Sequence, residues 1–501
     1  MVKITKIEIK NFKAFRCPDV IDLSDEGQNL LLYGENGSGK TSLYDALKLF
    51  LESSDNNSIK FNQNIFVDKT DKGYIKLYFT PDPKLNKDNY EWSEDVQEHT
   101  SVQPIIEASW AKGFLDYKDL LKTNFLHHDK NSVNVFDLLI NTLLKHIINE
   151  QAVPRRKFSE QWDDILKTVP SNQGATQEAI AFNQQLETFN TGLQDKLNDL
   201  EKDANDILIK FGYKNTDMKI ELDFEDVTFR PDKPESNSLY PQQILLKVHY
   251  LGKDLEDKLA YHRFLNEAKL SAIALSIFFA GFKSQPVSDL RLIVLDDVLI
   301  GLDMSHRLSL FNILEEKEWT KYQIILMTYD RTFFEMVKKL KSEDEKWKAA
   351  ELYCKVVDGH DIPTYVEDKT YLEKAREYLD ANDCKACAVY TRSAFEAIIK
   401  GFCEKNNIGI KYREDVNELN SNDFWTVIKD RKIILPNSKK RRIIKLALVK
   451  KIESAKKFIL NPLSHANIVN ITKKDLEDAI ETVEWLEDAL SMIDSRIHTI
   501  I

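Results

Sequence analysis

The segment Gly34-Glu35-Asn36-Gly37-Ser38-Gly39-Lys40-Thr41, followed by Ser42, constrains the fold of this chain more than any other stretch. It matches G-x-x-x-x-G-K-[ST]. In that pattern the glycines let backbone N–H groups curl around phosphate oxygens, and the next helix turns its positive end toward them. The motif carries this meaning only between a strand and a helix. Both flanks are present: Leu30 to Tyr33 is an apolar run, and Leu43, Ala46, Leu47 and Phe50 recur at helical spacing. The pattern predicts a nucleotide triphosphatase. Lys40 reaches the β- and γ-phosphates and the Thr41 hydroxyl ligates Mg²⁺. The candidate ATP-binding residues are Gly34, Asn36, Gly37, Gly39, Lys40, Thr41 and Ser42.

A second half of such a site lies far along the chain. Leu292 to Leu295 reads as a buried strand and ends on Asp296-Asp297. Asp296 suits the holding of Mg²⁺ through water, and Asp297 suits the orienting of an attacking water. Leu265-Asn266-Glu267-Ala268-Lys269 opens an apolar helix upstream. Gly301-Leu302-Asp303 follows downstream, and Ile324 to Thr328 is a further strand that runs into Tyr329-Asp330.

This order resembles the ABC-type ATPase heads of the RecF/SMC class: P-loop, signature helix, acidic strand end, D-loop, switch. So does the N-terminal Ile7-Glu8-Ile9-Lys10-Asn11-Phe12. The resemblance covers roughly residues 1–340 and implies two heads that sandwich ATP. The helix start at Leu265 to Lys269 of one head would cap the γ-phosphate held by the other, so Asn266, Glu267 and Asp303 become nucleotide-contacting candidates. Asp297 and Tyr329 become the catalytic candidates, with Asp330 able to share the switch role. The chain departs from the class pattern in three places. LNEAK replaces LSGGQ, an aspartate stands where many members have glutamate, and Tyr329 occupies the histidine position. Slow turnover is the expectation. The Q-loop position falls either in Asn124-Phe125-Leu126-His127-His128-Asp129 or at Gln63; a metal site on His127, His128 and Asp129 would need further ligands.

At 501 residues the chain exceeds one ordinary core. The reading is α/β: an ABC-type P-loop ATPase head, a mixed sheet with helices, carrying a helical insertion and a C-terminal all-α bundle. The expected segments are 1–154 with the P-loop, a helical hairpin over 155–215, the second lobe over 216–345, a polar boundary near 345–366 and the bundle over 366–501. Thr191-Gly192 is an expected break within the insertion. No apolar run reaches the ~18–20 residues of a membrane span. Five scattered cysteines fit a reducing cytoplasm.

Two features of the C-terminal segment bear on function. Arg392 and Glu396 share a helix face, and Asn461-Pro462-Leu463-Ser464-His465 lies further on. This resembles HEPN-type bundles and the anticodon nucleases PrrC and RloC, which implies a possible nuclease set of Arg392, Glu396 and His465. The alternative is an intrahelical ion pair. Ser438 to Lys457 is strongly basic on a chain of net charge −11, and Glu453 is its one acid. A basic helix over 439–457 would suit nucleic acid or an acidic partner, or would be a solvated face. A short head with such a bundle resembles the ATPase component of antiphage systems, PtuA of Septu and of certain retrons. That resemblance implies an ATP-dependent head dimer or higher oligomer, and an effector nuclease such as an HNH protein as partner.

Overall fold

In the computed structural model the described residues are 1–501 apart from 69, 112, 125–132, 171–176, 231–237, 256–260, 342–343, 358, 368–369, 411–419, 435–439, 458–471, 494–498 and 501. The chain forms two units, Met1–Glu367 and Asp368–Ile501.

The first unit is built on one six-stranded and two four-stranded sheets, with short two-stranded ribbons beside them. Strands β1 (Ile4–Lys10), β2 (Asp19–Asp22), β3 (Asn29–Gly34), β4 (Tyr74–Phe79), β5 (Asn89–Ser93) and β6 (Gly113–Asp116) come first, with helices α1 (Lys40–Asp55), α2 (Gln103–Ala111) and α3 (Tyr117–Asn124). Next come β7 (Val133–Asn134), α4 (Phe158–Lys167), α5 (Gln177–Lys210), β8 (Met218–Phe224), β9 (Ile244–Tyr250), β10 (Lys253–Asp254) and α6 (Glu267–Ser284). The unit closes with β11 (Leu292–Asp296), α7 (Met304–Leu314), β12 (Gln323–Thr328), α8 (Arg331–Leu340), β13 (Trp347–Val357) and β14 (His360–Glu367).

The central sheet has the order β14-β13-β3-β12-β11-β6, parallel except for the β13–β14 hairpin. Three of its inner strands, β3, β12 and β11, carry continuous apolar runs with polar residues only at their ends, because they are buried on both faces. Leu30, Leu32, Leu292, Val294, Ile325 and Met327 enter one core, beneath α1 and the antiparallel sheet β2-β1-β4-β5. Leu31, Tyr33, Ile293, Leu295, Ile324 and Leu326 enter the other, with α5 and α6. The period-2 alternation of side chains thus shares each strand between two cores.

The structure corrects three expectations for the first unit. Residues 345–366 are not a boundary: β13 pairs with β3 and β14 pairs with β13, so the head sheet extends to Glu367. The insertion is no separate hairpin. Helix α5 runs unbroken through Thr191-Gly192, and Phe182, Leu186, Phe189, Leu193, Leu197 and Leu200 join the same core as α6. Gly192 is a close approach and not a breaker, since a Cβ there would lie 1.9 Å from Asn149 Oδ1.

The second unit is not all-α. Besides α9 (Tyr371–Asp380), α10 (Cys384–Lys405), α11 (Ser421–Ile428), α12 (Leu446–Ala455) and α13 (Lys473–Ser491) it holds β15 (Lys432–Ile434), β16 (Lys440–Arg442) and β17 (Thr499–Ile500) in an antiparallel sheet. The basic run is therefore not one helix: Lys440–Arg442 is strand and α12 begins only at Leu446. The alternation of Lys432, Ile433 and Ile434, with Ile433 buried, is the strand signal that the helical periodicity around it obscured.

Candidate functional site

The parallel strands β3, β12, β11 and β6 end at one edge of the sheet, and the candidate residues gather there. The P-loop leaves β3 and turns into α1. Gly37 (φ 87°) and Gly39 (φ 104°) sit in the left-handed region, which glycine alone enters freely. A Cβ on Gly39 would also lie 2.7 Å from Pro363 Cγ, and Cys354 Sγ donates to the Gly37 carbonyl at 3.2 Å. The β13–β14 hairpin therefore backs the P-loop. Ser38 is buried and its hydroxyl has no hydrogen-bond partner among the described residues, so it is a ready donor that the sequence reading passed over.

Lys40 and Thr41 reach the opposite strand end. The Lys40 ammonium is 4% exposed; it donates to Gly34 O (2.7 Å) and Glu35 O (3.2 Å) and lies 3.2 Å from Asp297 Oδ2. Thr41 Oγ1 donates to Asp296 Oδ2 at 2.7 Å. Burial pushes the Asp296 carboxyl up to about 6, and the charge of Asp297 adds to it. Its other oxygen, Oδ1, is buried with no partner among the described residues. A buried acceptor beside a hydroxyl ligand fits a hydrated divalent cation, so Thr41 and Asp296 are the residues that would hold Mg²⁺.

Asp297 follows the strand with a positive φ of 52°. Its N–H donates to Met327 O (3.2 Å), its Oδ1 accepts from the Tyr329 N–H (2.9 Å) and its Oδ2 faces Lys40. Burial raises this carboxyl too, with Lys40 opposing. The switch residue thus meets Asp297 through its backbone. Asp330 is already engaged: it accepts from Phe333 N–H as the cap of α8 and pairs with Arg307 of α7. It ties the D-loop helix to the switch, and both oxygens have structural partners.

Asp116 is a site residue the sequence reading missed. Strand β6 pairs in parallel with β11, in a register that sets Asp116 opposite Asp296. The α1 stripe Thr41, Tyr44, Lys48 faces the same two strand ends; the Tyr44 hydroxyl is buried without a partner among the described residues, and burial above all, then the charges of Asp119, Asp116 and Asp296, raises its pKa. Asp116 also accepts from Asp119 N–H at 2.8 Å. The four-residue strand Gly113–Asp116 is too short for periodicity to reveal. Gln63 is not placed for a Q-loop role, because its amide bonds Asp71 O (3.3 Å) and accepts from Gly73 N–H (3.4 Å). The stretch 125–129 lies outside the described residues.

The signature and D-loop residues form a second group. Asn266 caps α6, its side chain accepting from Lys269 N–H at 3.1 Å, and Asn266 and Glu267 are exposed. Gly301 packs onto that helix start: a Cβ there would meet Ser271 Oγ at 2.0 Å and Glu267 Cγ at 3.2 Å. Asp303 caps α7, accepting from Ser305 Oγ (2.7 Å) and His306 N–H (3.1 Å), and these bonds hold its carboxyl down to about 2. No hydrogen bond or ion pair among the described residues joins Asn266, Glu267 or Asp303 to the P-loop group.

In the second unit, Arg392 Nε and Glu396 Oε1 form an i,i+4 pair at 3.0 Å on α10. His465 lies outside the described residues. Lys456 is buried, its ammonium lowered by that burial, and it donates to Asn422 Oδ1 at 2.7 Å. Among the described residues no helix is long and apolar enough to cross a membrane, and no cluster of His, Cys, Asp and Glu is placed to hold a metal by itself.

The family model described as RecF/RecN/SMC N terminal domain matches residues 3–346. A relative named DNA replication and repair protein RecF, from Lachnoclostridium phytofermentans, is 20% identical over 332 residues, covering 62% of this chain and 89% of the relative. Among solved structures, an Smc head bound to the C-winged helix domain of ScpA aligns with a TM-score of 0.42 at 15% identity, over 74% of this chain and 99% of its own. The recombination mediator protein RecF with ATPrS aligns with a TM-score of 0.38 at 12% identity, over 72% and 98%.

Proposed function

We propose that this chain, which belongs to the RecF/RecN/SMC N-terminal domain family of ATP-binding ATPases, is an ATP-binding and slowly hydrolysing subunit whose site is completed by a second head. One observation carries the reading. Lys40, Thr41, Asp296, Asp297 and Tyr329 converge at the strand ends, while Asn266, Glu267 and Asp303 form a separate exposed group.

The residues divide the work. Lys40 now bonds two carbonyls and faces Asp297, and a triphosphate would draw its ammonium to the β- and γ-phosphate oxygens. Asp297 then keeps the Tyr329 N–H and gains a free oxygen to orient water in line with the γ-phosphorus. That water's oxygen bonds phosphorus as the bond to the ADP oxygen breaks. Burial raises the basicity of Asp297, which suits this task. Mg²⁺, held at Thr41 and Asp296, would neutralise charge developing between the β- and γ-phosphates. Asn266 and the start of α6 on the second head would donate to the γ-phosphate. The absence of glycine from LNEAK limits close approach, so turnover is slow.

The ATP-dependent assembly would govern an effector nuclease, such as an HNH protein, in an antiphage complex. Two features support this. Helix α5 is spent on the head core, so the chain lacks a long coiled-coil arm among its described residues, and an appended unit of helices follows at Asp368. Asp297→Asn tests the ATP site: ATP binding is retained while single-turnover hydrolysis falls about 100-fold or more. Unchanged hydrolysis overturns the assignment.

Two other readings have an observation each. The Arg392–Glu396 pair beside the buried Lys456 favours an ATP-gated ribonuclease using Arg392, Glu396 and His465. Cleavage of tRNA that is lost in His465→Ala supports it, and no cleavage of any RNA sinks it. The 89% coverage of a RecF relative favours DNA repair, which ATP-dependent, salt-sensitive DNA binding would support.

A further inference from the structure

The basic run of the second unit is folded against an apolar trough. β16 and α12 form one wall and α13 the other, around a volume of about 870 Å³. Large apolar side chains lie open in it: Leu446 is 54% exposed, Trp485 44% and Met492 75%. Arg441, Lys445 and Lys451 stand along the β16–α12 wall, whereas the α13 wall offers one acid, Asp488. Arg442 is already paired with Asp430 at 3.0 Å. The Lys451 ammonium lies 4.2 Å from the Trp485 ring centroid, a cation–π contact that holds the indole in place before anything binds.

The two kinds of surface together select an occupant. Single-stranded nucleic acid would use the cations and the indole face but would gain little from Leu446 and Met492. A wholly apolar segment would leave Arg441 and Lys445 uncompensated. A helix with apolar anchors at i, i+3 or i+4 and carboxylates beside them satisfies both walls. Its acidic side is fixed toward β16 and α12, because the cations stand only there. The charge is local: the chain as a whole carries −11 and would repel such a segment elsewhere. We propose that this trough docks an acidic amphipathic helix of a partner protein. The inference is independent of the ATP-site reading.

The test uses the full-length protein and a fluorescein-labelled synthetic helix of about 18 residues, with leucine on one face and glutamate on the flanks. A matched peptide with lysine for glutamate and a labelled oligo-dT serve as comparators. Fluorescence anisotropy is expected to show saturable binding of the acidic peptide only. The affinity should fall about tenfold or more in Trp485→Ala and, separately, in the Arg441→Glu, Lys445→Glu double variant. These positions are exposed, so both variants should fold, and circular dichroism melts check that. Equal binding of the acidic peptide to the variants overturns the proposal, as does no binding, or tighter binding of oligo-dT than of the peptide.

Discussion

The P-loop group and the signature group both gather polar side chains at the ends of strands and helices but are finished to different degrees. Lys40 is 4% exposed and has three oxygen neighbours, and Thr41 and Asp296 are already bonded to each other. The side chain of Asp303, by contrast, is 58% exposed, and Asn266 and Glu267 lie open on a helix start. One half is preorganised within a single chain. The other is an exposed surface with no hydrogen bond or ion pair to the P-loop group among the described residues, and in the proposed reading the nucleotide of a second head meets it. The distinction separates binding from assembly, and substitutions can be sorted by which half they touch.

The largest effect is expected at the finished half. Lys40→Ala removes the buried P-loop cation, and isothermal titration should record a loss of ATP affinity of about 100-fold or more. A small loss would mean that the P-loop backbone alone holds the nucleotide. Next comes the scaffold beneath that half. His99 is fully buried and accepts or donates at Ser53 Oγ of α1 (2.8 Å), and burial lowers its imidazole to about 4. The unfolded chain binds this proton first as pH falls. The stability that neutral His99 contributes is therefore complete above about 6.5 and lost as pH drops through about 4, up to about 3 kcal/mol. Asp296, raised to about 6, shifts stability in the opposite sense over part of that range, so the readout is the difference between wild type and His99→Phe in melts from pH 7 to about 4. Identical pH profiles would contradict it.

Gly192→Ala acts on the other side of the sheet. Its Cβ would overlap Asn149 Oδ1, and Asn149 also bonds Gln161 Oε1 (2.8 Å) and Thr188 O (3.2 Å). Denaturant unfolding should show a loss of about 2 kcal/mol. Because α5 and α6 share a core, assembly should suffer more than ATP binding by the monomer. The smallest effect is expected from Asn266→Asp. Aspartate caps a helix as well as asparagine, so stability and monomer ATP affinity are retained. A carboxylate aimed at the γ-phosphate should weaken ATP-dependent dimerisation about tenfold, measured by sedimentation equilibrium. Equal loss of monomer binding would erase the distinction between the halves.

What the sequence disclosed follows the same division. The P-loop and the strand ending in Asp296-Asp297 are contiguous runs whose local pattern carries their meaning, so they could be read directly. Asp116 could not, because its role comes from the register of a four-residue strand beside β11. The β13–β14 hairpin reads as a boundary in the sequence because Pro363 and the polar run Asp358-Gly359-His360 mask it. Pro363 is tolerated in a strand at the sheet edge, and Gly359 at φ 77° supplies the turn. That hairpin also backs the P-loop, so misreading it hid part of the site. Gly192 shows the converse error: a residue read as a helix breaker is there because Asn149 presses against the helix.

The central claim is that one chain holds half a site and a second chain completes it. Sedimentation velocity on Asp297→Asn, which should bind ATP without consuming it, tests this most directly. The account predicts a monomer without nucleotide, a dimer with ATP and Mg²⁺, and a monomer again when Lys40→Ala is added. A protein that binds ATP by calorimetry yet sediments as the same species with and without it would contradict the account.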